Sequence, residues 1–203
     1  MGYQYKKKQS VHKPSEFKKV WKSLFVETEL PQGVSGQYEN FEVTIKGPKG
    51  EVKKRLKYPR VTIEFENNSV KIGTKRLSQR EKKIILTYVA HIKNMIIGVT
   101  KGFTYELRAV YAKFPLTLEF KNNEFVIKNL LGEKVPRRVS IPQDVTVDVK
   151  GQEVVVSGID KEKTGQVTAS IEQLTRITHL DRRVIQDGIY ITKKPTKEEA
   201  QND

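Results

Sequence analysis

The chain has no cysteine. That excludes disulfides, thiolate zinc sites, iron–sulfur ligation and a thiol nucleophile together, and points to an intracellular protein. Histidine is scarce: His12, His91 and His179 are far apart in sequence, so no pair makes a metal or acid–base motif. No window comes near the roughly 20 apolar residues of a membrane span, and the N-terminus has no apolar signal core, so neither export nor a membrane is expected. Acidic residues are also short, with Asp+Glu 24 against Lys+Arg 38 and a net charge of +14. Such a surplus favours a polyanionic partner, of which nucleic acid is the commonest.

What is present is patterned. Residues 158–191 read GIDKEKTGQVTASIEQLTRITHLDRRVIQDGIYI, and Val167, Ile171, Leu174 and Ile177 recur four, three and three apart, which predicts one apolar helix face. A helix start carrying glycine, lysine and free backbone N–H groups can hold an anion such as phosphate. The candidate RNA-binding residues are therefore Lys161, Lys163, Gly165 and Gln166 at that start, Arg182 and Arg183 after the helix, and Lys193 and Lys194 at the end. Arg137 and Arg138 are added from the glycine loop LLGEKVPRRVS. Lys46 and Lys49 come from the stretch 46–60, where seven basic residues face Glu51 alone.

The rest of the chain reads as strands and one more long helix. VTIEFENNSVKIG and LTLEFKNNEFVIK predict hairpins turned at Asn67-Asn68 and Asn122-Asn123, because asparagine tolerates the positive φ of tight turns. Phe41, Val43 and Ile45 alternate ahead of the turn Gly47-Pro48-Lys49-Gly50. Ile85, Tyr88, Val89, Ile92 and Ile96 form a helical stripe that opens at Ser78, with Glu81 completing a capping box, and is expected to close at Gly98. Residues 1–29 carry Lys6, Lys7, Lys8 and Lys13, with Phe17, Val20, Trp21, Leu24 and Phe25 at helix-like spacings. They read either as a short amphipathic helix on a basic tail or as a disordered leader whose Trp21 tucks against the first domain.

Residues 30–50 and 141–161 match without a gap at an offset of 111: Pro31, Gln32, Val34, Glu42, Val43 and Gly47 meet Pro142, Gln143, Val145, Glu153, Val154 and Gly158. This is an internal duplication. The expected fold is α+β, two tandem duplicated small domains, each a mostly antiparallel sheet packed with one long helix. The expected divisions are a basic extension over 1–29, domains over 30–100 and 101–194, and a mobile tail over 195–203.

GIDKEKTGQ with the helix after it and DRRVIQDGIYITKK, together with NMIIGVTKGFTYELRAVYAKFP at 94–115, closely resemble the universal large-subunit ribosomal protein family called L-six in bacteria and L-nine in eukaryotes. The resemblance is to the archaeal and eukaryotic branch, since the bacterial proline-glutamate-proline-tyrosine ending is absent. That branch carries an aromatic near the place of Ile185 and a basic residue near that of Leu180. The resemblance implies a cytoplasmic structural constituent of the large ribosomal subunit, with large-subunit ribosomal RNA and neighbouring ribosomal proteins as partners. It also implies a place near the sarcin–ricin loop, where translational GTPases dock.

No cofactor, metal or catalytic residue is expected. Asp160, Glu162, Asp181 and Asp187 are crowded by basic residues, which suits charge balancing rather than acid catalysis. The glycine turns lack the ending of a phosphate-binding Walker loop. A phosphoryl-transfer enzyme or nuclease is the weaker second class, and a free RNA-binding or assembly module outside the ribosome is the third.

Overall fold

A computed structural model describes residues 23–66, 69–178, 180–181 and 183–195. The leader's Phe17, Val20 and Trp21, the turn Asn67-Asn68, His12, His179, Arg182 and residues 196–203 lie outside the described residues.

The first half contains β1 (Leu24–Glu29), β2 (Ser35–Glu39), β3 (Glu42–Gly47), β4 (Gly50–Arg55), β5 (Thr62–Glu66), β6 (Ser69–Thr74) and the helix α1 (Gln79–Thr100). Two antiparallel sheets, ordered β1-β6-β5 and β2-β3-β4, lie against α1. Residues 24–29 are a strand, which corrects both readings of the leader at that point. Leu24, Val26 and Thr28 point inward while Phe25, Glu27 and Glu29 point out, and Val26 pairs with Ile72. The spacing of Leu24 and Phe25 also fits a helix, but a six-residue ladder with β6 decides the matter.

The Ser78–Glu81 capping box forms as expected. The end of α1 does not. The helix runs through Gly98 to Thr100, and Gly102, at φ 78°, donates its N–H to the Ile97 carbonyl 3.1 Å away to close it. Gly98 instead faces the main chain of the second half: a Cβ there would strike the carbonyl oxygen of Ile159. Phe41 also departs from the expected alternation, since it sits with Asn40 in the β2–β3 turn at φ 65° and is exposed. Val43 and Ile45 do face the core, where Ile72, Ile85, Ile92 and Val99 meet them with no exposed surface. Cutting Ile92 to alanine there costs about 2–5 kcal/mol.

The second half contains β7 (Phe103–Val110), β8 (Thr117–Lys121), β9 (Glu124–Lys128), β10 (Arg137–Ser140), β11 (Val145–Lys150), β12 (Glu153–Gly158), α2 (Lys161–Leu174) and β13 (Gly188–Lys193). Asn122 and Asn123 turn the β8–β9 hairpin at φ 52° and 60°, as their sequence predicts. The sheets are ordered β10-β9-β8 and β11-β12-β7-β13, and α2 lies across both. Phe103, Leu107, Phe125, Val154, Val156 and Ile171 make a core of their own. The duplication is visible in the strands, because β3 and β12 hold equivalent residues at the offset of 111. The whole is the expected α+β pair of tandem units.

Candidate nucleic-acid interface

The helix α2 begins where β12 ends. Its cap is Asp160, whose side chain accepts the Glu162 N–H at 2.9 Å, so one first-turn donor already serves the chain's own carboxylate. What the first turn offers an anion is therefore mainly lysine. Lys161 lies over the Phe103 ring at 5.6 Å, and Lys163 pairs with Asp144. The hydrogen bond to Asp144 raises the Lys163 pKa above the ordinary lysine value.

Strand register brings more cations to this end. Gly158 pairs with Phe103, and Lys193 stands opposite Glu106, so β13 runs toward the start of β7 and finishes beside its middle. Lys193 is 3.9 Å from Glu106, and Lys194 beyond it is exposed. From the first half, the Lys49 ammonium donates to the Lys101 carbonyl, just ahead of Phe103. Lys46 and Lys53 share Glu51 at 3.4 and 3.0 Å, which holds the Glu51 carboxyl below its usual value, the Lys53 hydrogen bond being the larger cause. Glu51, Lys53, Asp144, Asp160 and Lys163 line one open depression of about 330 Å³.

The other candidates go elsewhere. Gly165 lies inside α2, not at its start, and a Cβ there would sit 3.1 Å from the Tyr105 hydroxyl. It lets the helix lie close to β7. Gln166 is exposed midway along the helix. Arg183 is exposed at the opposite end of α2, roughly 20 Å away at 1.5 Å rise per residue. Arg138 points to the outer face of the β8–β10 sheet, because its neighbour Arg137 occupies the face toward α2.

Arg137 has an internal use. One guanidinium nitrogen donates to the carbonyls of Leu174 and Arg176 at 2.9 and 3.1 Å, and the others form a fork with Glu133 at 2.6 and 2.9 Å. The fork lifts the arginine pKa and lowers that of Glu133. This also explains why α2 stops at Leu174 and leaves Ile177 outside the expected helical stripe: Arg137 takes the last carbonyls, and Thr175 turns its hydroxyl back to the Glu172 carbonyl.

The two halves meet beside the cationic end. Lys54 on β4 bonds both to Glu162 of α2 and, at 3.0 Å, to His91 Nδ1 on α1. Burial first, and Lys54 second, depress the His91 pKa. The sequence gives no local sign of this triad, which is assembled over 108 residues of chain. Asp144 had a signal: it stands where the first copy of the repeat has Gly33. Among the described residues, no group of three or more histidine and carboxylate side chains could hold a metal ion, and no helix is long and apolar enough to cross a membrane.

A family model described as ribosomal protein L6 matches residues 30–102 and 114–188. Large ribosomal subunit protein uL6 of Sulfurisphaera tokodaii is 42% identical over 181 residues, 89% of this chain and 97% of the relative. The protein of the same description from Haloarcula marismortui is 41% identical over 175 residues, 86% and 98% of the two chains. That of Methanobrevibacter smithii is 45% identical over 168 residues, 83% and 94%.

Proposed function

The chain belongs to the ribosomal protein L6 family, and from that premise we propose that it binds large-subunit ribosomal RNA through the cationic end of its second half. It is a structural protein of the large ribosomal subunit, not an enzyme, and works in the cytoplasmic ribosome. We place the RNA contact near the sarcin–ricin loop, beside the region where translational GTPases dock, with neighbouring ribosomal proteins as further partners.

The observation that carries this reading is the set of Lys46, Lys49, Lys161, Lys163, Lys193 and Lys194 toward one end of the molecule, from three separate stretches of sequence. Recognition is of backbone and shape. Lysines neutralise phosphates, and a structured RNA offers its backbone and 2′-hydroxyls to a rigid surface. Gln166 offers an amide to that surface, while Arg183 and Arg138 extend it toward the far end of α2 and the outer sheet; Arg182, outside the described residues, is assigned to the same contact by its sequence alone. Gly165 and Arg137 act indirectly, the first by seating α2 on β7 and the second by fixing the chain that follows it. The separate apolar cores support a division between 30–100 and 101–194, with β1 joined to the first unit because Leu24 and Val26 pack on its core.

Ultraviolet crosslinking of the tagged chain in cells, with sequencing of the attached RNA and sedimentation on a sucrose gradient, tests the proposal. Crosslinks concentrated in one part of large-subunit ribosomal RNA, on a chain that travels with large subunits, are the expected result. A chain that stays at the top of the gradient with scattered RNA overturns it in favour of a free RNA-binding module.

A further inference from the structure

A second concavity lies at the end of α2 away from the lysines. It has a volume of about 340 Å³, within the range of small-molecule sites, and lies between the last turn of α2 and the chain leading into β13. Ile177, Ile185 and Ile189 give it an apolar floor, and the Tyr190 ring an aromatic wall. Gln173 and Arg176 stand exposed at the rim.

The walls are fixed by bonds within the protein. Ile189 N–H donates to Thr175 Oγ1 at 3.0 Å, Ile191 N–H to Glu172 Oε1 at 3.3 Å, and Ala112 N–H to Asp187 Oδ1 at 3.1 Å. The Tyr190 hydroxyl donates to the Gln186 carbonyl at 3.0 Å, and Arg137 pins the carbonyls of Leu174 and Arg176. A cavity held this way is preformed, so an occupant meets little ordering cost in the protein.

The lining selects its occupant. Two carboxylates, Glu172 and Asp187, disfavour a phosphate group inside, while three isoleucines and a tyrosine favour a flat apolar ring. Asp187 is buried and held by Ala112, whereas Glu172 keeps its second oxygen free to accept from an amino group. The rim is cationic through the exposed Arg176, and Arg183, also exposed, follows in the chain between α2 and β13, which suits a phosphodiester backbone passing outside. Sequence-specific RNA recognition takes this form, with unstacked bases laid on aromatic or arginine planes and read at their edges. We propose that this pocket receives one unpaired nucleobase of RNA with an exocyclic amino group beside an unprotonated ring nitrogen, an adenine or a cytosine. Guanine would bring a second N–H donor to a carboxylate whose other oxygen is already taken by Ile191 N–H. The inference rests on the RNA-binding reading above and adds to it a site that reads a base.

Dimethyl sulfate, which modifies the Watson–Crick edge of unpaired adenine and cytosine, is the probe. The full chain is bound to protein-free large-subunit ribosomal RNA, and Ile177→Trp is used to fill the cavity. The wild-type chain is expected to protect one unpaired adenine or cytosine. Ile177→Trp is expected to restore its reactivity, weaken binding about tenfold and leave other protections in place. Glu172→Gln keeps the acceptor for Ile191 N–H but removes the charge, and is expected to weaken the same protection in a folded protein. It decides the matter alone if Ile177→Trp does not fold. Should the wild-type chain bind RNA with no adenine or cytosine responding to either variant, the base pocket is overturned and the RNA reading stands. Should it bind no RNA at all, both fall.

Discussion

The Arg137 guanidinium lies 2.9 Å from the Leu174 carbonyl oxygen, and so a cation that looks in sequence like an RNA contact holds the end of a helix. Hydrogen bonds from a charged donor to such carbonyls contribute about 1.5–3 kcal/mol. Arg137→Lys keeps the charge and loses the fork. Thermal unfolding is expected to show a loss of about that size, with amide protons in the last turn of α2 exchanging faster. The dependence of RNA affinity on salt is expected to stay the same, because no phosphate contact is removed. A shallower salt slope in Arg137→Lys would assign the residue to the RNA surface after all.

Gly98 sets how closely the halves approach. A methyl group there meets the Ile159 main-chain oxygen, which no side-chain rotation can clear. Gly98→Ala gains up to about 1 kcal/mol of helix propensity in α1. It is nevertheless expected to lose about 1–3 kcal/mol overall, because the crossing must open. Chemical denaturation measures the loss. A more stable Gly98→Ala protein would show that the crossing yields without strain.

Asp144 restrains a lysine that RNA would use. Its carboxylate holds Lys163 and raises the lysine pKa, so Lys163 can neutralise a phosphate only by giving up that partner. Asp144→Asn is expected to tighten RNA binding and steepen the plot of log affinity against log salt. The steepening should approach 0.7–0.9 for the one freed contact. Asp144→Asn and Lys163→Ala together are expected to lose that gain. An unchanged slope in Asp144→Asn places Lys163 outside the RNA contact.

What the sequence disclosed depended on how far apart the deciding residues lie. Ser78 and Glu81 are three residues apart and Asn122 and Asn123 adjacent, and both features form as their local chemistry demands. The repeat could be read because matching strands keep their inward valines. Leu24 and Phe25 misled, since two neighbours cannot distinguish a strand from a helix and β6 lies more than forty residues away. Gly98 and Gly102 are both plausible helix ends in sequence. Only the path of Ile159 shows that one is a crossing and the other a cap. The cationic end was legible as a list of residues but not as a place, and the base pocket was hidden because Glu172, Arg176 and Tyr190 converge only through the turn between α2 and β13.

His91 gives the junction a dependence on pH. Burial and the Lys54 ammonium disfavour its protonated form, and Glu162 opposes them more weakly. Asp160 and Lys161 line the same crevice. The folded-state pKa therefore lies below the ordinary histidine value. The stability this contributes is present in full above that value and is lost as pH falls through the lowered one. Nuclear magnetic resonance titration of the His91 ring is expected to give a midpoint below that of an exposed histidine. Two substitutions separate the causes by sign. Lys54→Met removes the cation and leaves Glu162 facing the ring, so the midpoint is expected to rise. Glu162→Gln removes the favourable charge beside the ring while Lys54 stays, so it is expected to fall further. Midpoints that move the same way in both variants would rule out the Lys54–His91–Glu162 triad as the cause and leave burial alone.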